Sequence, residues 1–373
     1  MKILFAGGGT GGHVYPAIAI ADALRLLRHA PIDRWDITFV GTRDRIEATI
    51  VPKAGYPLAT IVAKPLARKL SSAMLVAPFA NAIGVLQSLV LLVRIKPDMI
   101  VATGGYVCFP LVVAAKVLRS LKLLHAPIAL LEPNARPGLT NRLLAPLVDE
   151  VWGAAQNVDP RFTGKYARTG VPVRASLEAL PPREEAIARL GLDQARLTLL
   201  AMGGSLGAAR INDAIAWFSE NGVPDGWQIL LVAGIRDAQR LASQSASNPL
   251  VHIVAYLDDP ADAYAVADLV LARAGASTVA ELAAVGAGAI LVPYPFAADD
   301  HQDANARAVE ATGAAVVVRD AELNGPRLAA LFAGDGLLLD RVRLAARSLA
   351  GADATSAVTA RIAALLARIP PVS

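Results

Sequence analysis

The chain opens with ILFAGGGTGGHVYP at residues 3–16, where four apolar residues run directly into a loop of five glycines, one threonine and a histidine. Glycines cluster where the backbone passes close to another group or takes a positive φ, and each is entropically costly. A strand, a glycine turn and a helix beginning near Tyr15 and Pro16 would aim backbone N–H groups and a positive helix end at an anion, typically phosphate. The stretch therefore predicts the first βα unit of a phosphate-binding parallel sheet.

Gly7, Gly9 and Gly12 satisfy the G-x-G-x-x-G fingerprint of dinucleotide-binding folds. That fingerprint also requires an acidic residue at the end of the second strand, where it binds a ribose hydroxyl. The second apolar run, DITFVG at 36–41, is followed by threonine and arginine instead. The sequence therefore disfavours NAD binding, and we expect no cofactor.

Apolar runs alternate with helical patterns in the first half, and the rhythm restarts near residue 197. The runs are ILFAG, DITFVG, MIVATGG, IALLE and EVWGA, then LTLLAMGG, QILLVAG, VHIVAY, DLVLARAG and AILVPYP. Alternation implies parallel sheets with helices on both faces, and 373 residues exceed one ordinary core. We predict an α/β protein of two doubly wound Rossmann-like domains, 1–168 and 169–373, with the last helix packing on the first domain. Ligands of such sheets bind at strand carboxyl ends, so the glycine loops of both domains are expected to face one cleft.

Charge is distributed unevenly along the chain. Residues 1–150 carry 17 Lys and Arg against 9 Asp and Glu, a balance of +8, and the remainder carries 19 against 23, or −4. A basic half suits an anionic membrane, a nucleic acid or an acidic substrate. Aromatic residues, which stack on bases, make up only 5%, so a membrane surface is favoured over nucleic acid. Cys108 is the single cysteine, and no signal-peptide core follows Lys2, which predicts the cytoplasmic compartment.

Residues 70–93 contain no charged side chain, a length sufficient to nominate a transmembrane helix. Pro78 lies where a helix would start, and a polar stripe follows at helical spacing: Asn81, Gly84, Gln87 and Ser88. We predict a packed, partly interfacial helix, because the parallel sheet needs a covering helix here. Its basic flanks suit acidic lipid head groups, and they are Lys64, Arg68, Lys69, Arg94 and Lys96.

Several motifs occur in a fixed order: GGTGGHVYP, TGGYVCFP, NARPGLTNR, TGVPVR, GGSLGAARIN, RAGASTVAEL and HQDANA. Over residues 3 to about 320 this order resembles the MurG family, UDP-N-acetylglucosamine transferases that turn lipid I into lipid II in peptidoglycan synthesis. The resemblance implies a GT-B fold, an inverting transfer without a catalytic metal, and peripheral attachment to the cytoplasmic face of the cell membrane. The partners it implies are UDP-N-acetylglucosamine, lipid I, an anionic membrane surface and other cell-wall and division enzymes.

The resemblance also assigns candidate site residues by motif. Thr10, Gly11, Gly12 and His13 form a first loop shared by donor sugar and acceptor, and Gly104, Gly105 and Tyr106 form a second loop facing the acceptor diphosphate. The donor-binding candidates are Asn134, Arg174, Ser205, Leu257, Ala276, Ser277, Thr278, Glu281, His301 and Gln302. Within this set the family pattern puts Ser205 beside the diphosphate, Leu257 at uracil and Glu281 on the ribose hydroxyls.

The sequence departs from the family pattern at three positions. Leu131 and Pro133 stand on either side of Glu132 where the family commonly has His and Gln. Val171 stands where the family has Asn. The first departure bears on the geometry around Asn134.

The candidates also have plainer interpretations. His13 is either an ordinary first-turn helix residue or a catalytic base, since an imidazole with an ordinary pKa near 6.5 suits proton transfer at neutral pH. Thr278 and Glu281 have the spacing of a helix capping box, and Ser205 suits an N-cap. The glycines around them favour a ligand at both helix starts.

An acidic cluster near the end of the second domain resembles a metal site at first sight. Its members are Asp299, Asp300, His301 and Asp303. The spacing imposes no coordination geometry, so we interpret the cluster as a solvated loop that contacts the sugar, and we predict no metal.

Two other functions stay open on the sequence alone. One is another GT-B enzyme acting on a UDP-sugar, either a glycolipid glycosyltransferase or a UDP-N-acetylglucosamine epimerase. The other is a non-catalytic nucleotide-sugar sensor or scaffold.

Overall fold

The computed structural model describes residues 1–27, 35–65, 73–156, 158–204, 207–245, 248–333, 337–349 and 353–368. The chain forms two compact units, one of Met1–Arg174 with Asp353–Ser373 and one of Ala175–Ala352. The division follows Arg174, at the end of the RTGVPVR segment, and the last helix belongs to the first unit.

Within the described ranges, the first unit contains a parallel sheet of seven strands. They are β1 Lys2–Ala6, β2 Asp36–Gly41, β3 Leu58–Thr60, β4 Met99–Ala102, β5 Ile128–Glu132, β6 Glu150–Gly153 and β7 Tyr166–Arg168. Their spatial order is β3-β2-β1-β4-β5-β6-β7. The helices are α1 Gly11–Leu26, α2 Glu47–Lys53, α3 Ala73–Ile95, α4 Cys108–Ser120 and α5 Leu139–Leu144.

The second unit repeats the architecture with six parallel strands among its described residues. They are β8 Leu197–Met202, β9 Trp227–Val232, β10 Val251–Val254, β11 Leu269–Ala272, β12 Ala289–Leu291 and β13 Ala315–Val317, in the order β10-β9-β8-β11-β12-β13. Its helices are α6 Ala175–Glu178, α7 Arg183–Leu190, α8 Ala209–Asn221, α9 Ala238–Ser245, α10 Ala261–Val266, α11 Ala276–Val285, α12 His301–Glu310, α13 Gly325–Phe332 and α14 Leu337–Leu349. The final helix, α15 Ala354–Leu366, packs on α1 of the first unit.

The central strands are covered on both faces, which explains their unbroken apolar runs. Every residue of β4, β5 and β11 is buried. Parallel sheets require this double cover because their crossover helices lie on both sides. The two doubly wound Rossmann-like domains predicted from the alternating rhythm are therefore confirmed.

Two helix starts differ from the sequence prediction. Helix α1 begins at Gly11, not near Tyr15, because the extended Thr10 ends the loop and its carbonyl accepts the N–H of His13 at 3.2 Å. Helix α3 runs from Ala73 with Pro78 inside it, so Pro78 does not mark its start.

Three of the four members of the polar stripe of α3, Asn81, Gly84 and Ser88, are buried, and Gln87 is exposed. Asn81 is 3% exposed, and its side-chain amide pairs with the backbone N–H and carbonyl of Lys64 at 3.1 Å each. Gln87 accepts the N–H of Val62 at 2.7 Å. The polar side chains therefore hold the neighbouring chain segment, whereas large apolar residues of the same helix are exposed: Val76, Phe79, Ile83, Leu86, Val90 and Val93.

The last helix is fastened to the first sheet by an ion pair between the buried Glu150 and the partly exposed Arg361. Glu150 on β6 is 5% exposed, and its carboxylate accepts two hydrogen bonds from the Arg361 guanidinium at 2.9 and 2.5 Å. Trp152 donates a third hydrogen bond to the same carboxylate at 3.0 Å. A contact across 211 positions of sequence thus closes the first unit.

Replacing Arg361 by Ala should lower the free energy of unfolding by roughly 1–3 kcal/mol, because the buried Glu150 carboxylate loses two hydrogen bonds from a charged donor. Arg368 is the matched control, since it lies 3.9 Å from Glu150 with a side chain 67% exposed. Its replacement by Ala should change stability by less than about 0.5 kcal/mol. Calorimetry of both variants measures the difference in stability. Equal losses of stability would contradict the role given to the Arg361–Glu150 pair.

Candidate functional site

The two sheets each have one point where the strand order reverses. In the first unit it lies between β1 and β4, and in the second between β8 and β11. Ligands of open parallel sheets bind at the carboxyl ends of the strands at such a point. The described loop residues found there are 7–10 and 103–107 in the first unit, and 203–204, 207–208 and 273–275 in the second.

His13 lies in the first turn of α1, at the edge of the first loop. Its Nδ1 is 3.1 Å from the carbonyl oxygen of Gly8 and 3.3 Å from Oγ1 of Thr10. Its backbone carbonyl accepts the hydroxyl of Thr103 at 2.7 Å, which joins the end of β4 to the start of α1. The histidine is therefore anchored at backbone and ring by the two loops of the reversal point.

The second loop packs directly on the His13 ring. A Cβ added at Gly104, where φ is +101°, would lie 2.7 Å from Cδ2 of His13. A Cβ added at Gly105 would clash with the Gly8 carbonyl oxygen. Side chains at either position would displace the ring, so the GG pair is what allows the two loops to meet. The structure thus brings together the first-loop and second-loop candidates.

Tyr106 follows this pair and covers the opposite side of the first loop, where a Cβ on Gly9 would lie 3.0 Å from its ring. Burial raises the pKa of the Tyr106 phenol, and the Glu47 carboxylate raises it further. The phenol is consequently protonated at neutral pH and can donate to an anionic ligand.

Asn134 is held by a buried carboxylate that the sequence analysis did not select. Glu132 accepts the backbone N–H and the side-chain amide of Asn134 at 2.9 and 3.0 Å, and also the N–H of Gly138 and the amide of Asn141. Burial raises the pKa of Glu132, and these four donors oppose that rise. Leu131 and Pro133 are both buried, so the departures from the family pattern leave Asn134 fixed through Glu132.

Arg174, the last residue of the first unit, stacks its guanidinium over the ring of Tyr15 at 4.5 Å from the centroid. Tyr15 is on α1, two residues after His13. Arg174 therefore contacts α1, the helix that begins where the first loop ends.

The donor-phosphate candidates of the second unit are Ser205 and the first residues of α11. Ser205 is outside the described residues; its neighbour Gly204 has φ +84°, and α8 begins at Ala209. Ala276, Ser277 and Thr278 are the first three residues of α11, directly after Gly275. Their backbone amides belong to a helix N-terminus, where an anion is favoured.

The capping-box interpretation of Glu281 is wrong. Helix α11 begins at Ala276 with Gly275 as its N-cap, so Glu281 lies in the second turn, beyond the reach of a capping box. Its carboxylate accepts the hydroxyl of Tyr264 at 2.9 Å instead. Tyr264 lies on α10 and is only 3% exposed, so it holds the Glu281 carboxylate from the buried side. The sequence carried no sign of this contact, because the two residues are on different helices.

The remaining donor candidates follow β10 and β12 in the chain. Leu257 follows β10 and is half-buried. His301 and Gln302 open α12, after Asp299 and Asp300, which both take positive φ values of 52° and 53°. Gln302 accepts the N–H of Tyr294 at 2.9 Å and so shapes the loop after β12. In the described part of the chain, no group of three or more His, Cys, Asp or Glu side chains has metal-binding geometry.

Two doubly wound domains, each with a glycine loop at its reversal point, are the architecture of the GT-B fold. Residues 3–152 match the glycosyltransferase family 28 N-terminal domain, and residues 198–354 match the family 28 C-terminal domain. The chain therefore belongs to glycosyltransferase family 28 and, by the relatives below, to its MurG family.

Two relatives carry the name UDP-N-acetylglucosamine–N-acetylmuramyl-(pentapeptide) pyrophosphoryl-undecaprenol N-acetylglucosamine transferase. The protein of Salinibacter ruber is 40% identical over 98% of this chain and 97% of its own length. That of Halothermothrix orenii is 38% identical, with 92% of both chains covered. The crystal structure of Acinetobacter baumannii MurG superposes with a TM-score of 0.75 at 28% identity, covering 97% of this chain and 99% of that one.

Proposed function

We propose that this chain transfers N-acetylglucosamine from UDP-N-acetylglucosamine to the 4-hydroxyl of the muramyl unit of lipid I, forming lipid II with inversion at the anomeric carbon. The observation that carries the proposal is the His13 ring seated between its own loop and Gly104–Gly105 at the reversal point of the first sheet. The names of the relatives that match over nearly the whole chain support the substrates.

The proposed chemistry needs one proton acceptor. The 4-hydroxyl loses its proton to Nε2 of His13, and its oxygen bonds to the anomeric carbon. The bond from that carbon to the β-phosphate oxygen breaks, and its electron pair leaves with UDP. A positioned base of this kind contributes typically 10²–10⁴-fold.

The leaving group gains negative charge as that bond breaks. The first-turn amides of α11, at Ala276, Ser277 and Thr278, supply fixed dipoles that stabilise such charge. Glu281, oriented by Tyr264, accepts the ribose hydroxyls of the nucleotide. On the acceptor side, the protonated Tyr106 phenol donates to the lipid diphosphate.

Transfer is tested directly by incubating the protein with radiolabelled UDP-N-acetylglucosamine and lipid I. Label in the lipid fraction supports the proposal. Conversion of the free nucleotide sugar to its epimer would favour the epimerase instead. Nucleotide binding with no turnover of either substrate would favour the sensor.

We further propose that the protein is peripheral on the cytoplasmic face of the cell membrane, with α3 lying in the interface. Val76–Ile95 is apolar and long enough to cross a bilayer, yet only 33% of that window is buried. The exposed residues recur every three or four positions and form one apolar stripe, led by Phe79 at 75%, Val90 at 69% and Leu86 at 63% exposed. Such a stripe beside exposed basic residues is typical of an interfacial helix.

The basic residues near this stripe include exposed Lys64, Arg94 and Lys96, each adding about 1 kcal/mol to binding of acidic lipid. Arg68 and Lys69, which were predicted to act with them, lie outside the described residues. Helix α4 packs on α3; its Lys116 is exposed, and so is Leu121, which directly follows the helix.

Replacing Phe79, Leu86 and Val90 together by Ser should weaken binding to vesicles with acidic head groups at least about tenfold, because each large apolar side chain contributes up to about 1.5–3 kcal/mol when buried. Flotation with anionic vesicles measures this. The control is Ile235→Ser, which removes a side chain 73% exposed in the second unit. Unchanged flotation of the triple variant would contradict the interfacial placement.

A further inference from the structure

Glu47 is a buried carboxylate in the first turn of α2, and the proposed reaction so far gives it no role. It is 0% exposed. Its Oε1 accepts the backbone N–H and the hydroxyl of Thr42 at 3.0 and 2.7 Å. Its Oε2 accepts the backbone N–H of Gly9 at 3.0 Å. A carboxylate removed from water needs such donors, and here one donor belongs to the first glycine loop.

The peptide group between Gly8 and Gly9 connects Glu47 to His13. The N–H of this peptide points to Glu47, and its carbonyl oxygen, that of Gly8, lies 3.1 Å from Nδ1 of His13. In a trans peptide the N–H and C=O point in opposite directions, so the two contacts are at opposite ends of one dipole. Hydrogen bonds arranged in series polarise one another.

Glycines make this arrangement possible on both sides of the peptide. A Cβ on Gly8 would lie 2.5 Å from Oε1 of Glu47. Gly9 has φ +86°, in the left-handed region that favours glycine. A Cβ on Gly105 would clash with the Gly8 carbonyl oxygen from the other side. The glycines of the opening loop therefore leave room for the Glu47 carboxylate and the contact to His13, as well as for a ligand.

A carbonyl oxygen accepts hydrogen bonds and cannot donate them. A hydrogen bond between the Gly8 carbonyl and Nδ1 of His13 at 3.1 Å therefore needs a proton on Nδ1, with the Thr10 hydroxyl oxygen at 3.3 Å as a second acceptor, and it leaves Nε2 of the neutral ring as the acceptor. We propose that Glu47 is a positioning residue for His13: through the Gly8–Gly9 peptide it selects the tautomer with Nε2 free of a proton and stabilises the imidazolium formed when Nε2 takes one. This inference rests on the proposed role of His13 as base.

The first test is the tautomer of the wild-type protein without substrate. The chain has five histidines, and ring ¹⁵N labelling with two-bond ¹H–¹⁵N correlation distinguishes the nitrogens of each. His13→Gln identifies the His13 signals. We expect a protonated Nδ1 and an unprotonated Nε2 above pH 7. A protonated Nε2 would overturn the proposal, whatever the protein transfers.

The second test compares Glu47→Gln, which keeps the shape, with Glu47→Asp, which keeps the charge. Glu47→Gln should lower kcat roughly 10- to 100-fold, the range for losing a hydrogen bond to a charged group, with KM for the donor changed less than about twofold. It should also populate both His13 tautomers. Glu47→Asp should retain more activity than Glu47→Gln, whereas a space-filling role predicts the reverse order.

The matched control is Glu150→Gln, which neutralises another buried carboxylate of the same unit, the partner of Arg361. It should lower stability and leave kcat and the His13 tautomer unchanged. Equal loss of kcat in both Gln variants would reduce Glu47 to a structural role. If neither Glu47 variant folds, the wild-type spectrum decides between the two tautomers. If the wild-type protein transfers nothing but shows the expected His13 tautomer, the proposed function is contradicted and the tautomer assignment is not.

Discussion

His13→Ala should lower kcat by roughly 10²–10⁴-fold while leaving the affinity for UDP nearly intact. The imidazole acts on the acceptor hydroxyl, whereas the nucleotide candidates Glu281 and Leu257 belong to the other unit. Steady-state kinetics with lipid I or a short-chain analogue measures kcat, and calorimetric titration with UDP measures the affinity.

The pH dependence gives an independent measure of the same role. A base must be neutral to accept a proton, so kcat/KM of the wild type should fall as the pH drops through the imidazole pKa, ordinarily near 6.5. In His13→Ala this acidic limb should flatten. His125→Ala, which removes an exposed histidine of the same unit, should keep both the rate and the profile. Near-normal turnover with an unchanged profile in His13→Ala would show that the residue only shapes the loop.

Glu281→Ala should weaken UDP binding roughly 10- to 100-fold, since a hydrogen bond to a charged group contributes about 1.5–3 kcal/mol. The free energy of unfolding should fall by only about 1 kcal/mol, because the partly exposed carboxylate caps no helix and the hydrogen bond from Tyr264 that it loses is of ordinary strength. Calorimetric titration with UDP and thermal unfolding of the same samples separate the two effects.

Two further variants check that interpretation. Tyr264→Phe removes only the hydroxyl that orients Glu281, so it should weaken UDP binding by less than Glu281→Ala does. Glu185→Ala removes an exposed glutamate that pairs with Arg189 on α7, and UDP affinity should be unchanged. Full UDP affinity in Glu281→Ala would remove the ribose role.

The sequence predicted much of this protein because its signals are local. Apolar runs closed by glycine recur at βα spacing, and this rhythm was enough to predict two doubly wound domains. The motif order pointed to the MurG family, whose membership the whole-chain matches establish. The glycine loops of the first unit indicated a shared site, and Gly104 and Gly105 do pack on His13. The donor roles of Asn134 and Glu281 stay predictions.

Errors arose where local rules competed with contacts to distant residues. Thr278 and Glu281 have capping-box spacing, but the extended Gly275 begins the helix and moves Glu281 into the second turn. The polar stripe of α3 predicted a packed, partly interfacial helix without showing the partner of its polar side chains. That partner is the backbone of Val62 and Lys64, which Gln87 and Asn81 bind.

The sequence by itself determined the class of fold, the glycine loops and the histidine at their edge, because strand, turn and helix preferences act over a few residues. Only the tertiary structure decided the strand order that puts β1 beside β4, and with it the meeting of two loops about 90 residues apart. It also decided the partners of Glu47, Glu132 and Tyr264, each a buried group. A lone glutamate or tyrosine carries no local pattern, and its hydrogen-bond partners exist only once the sheet has assembled.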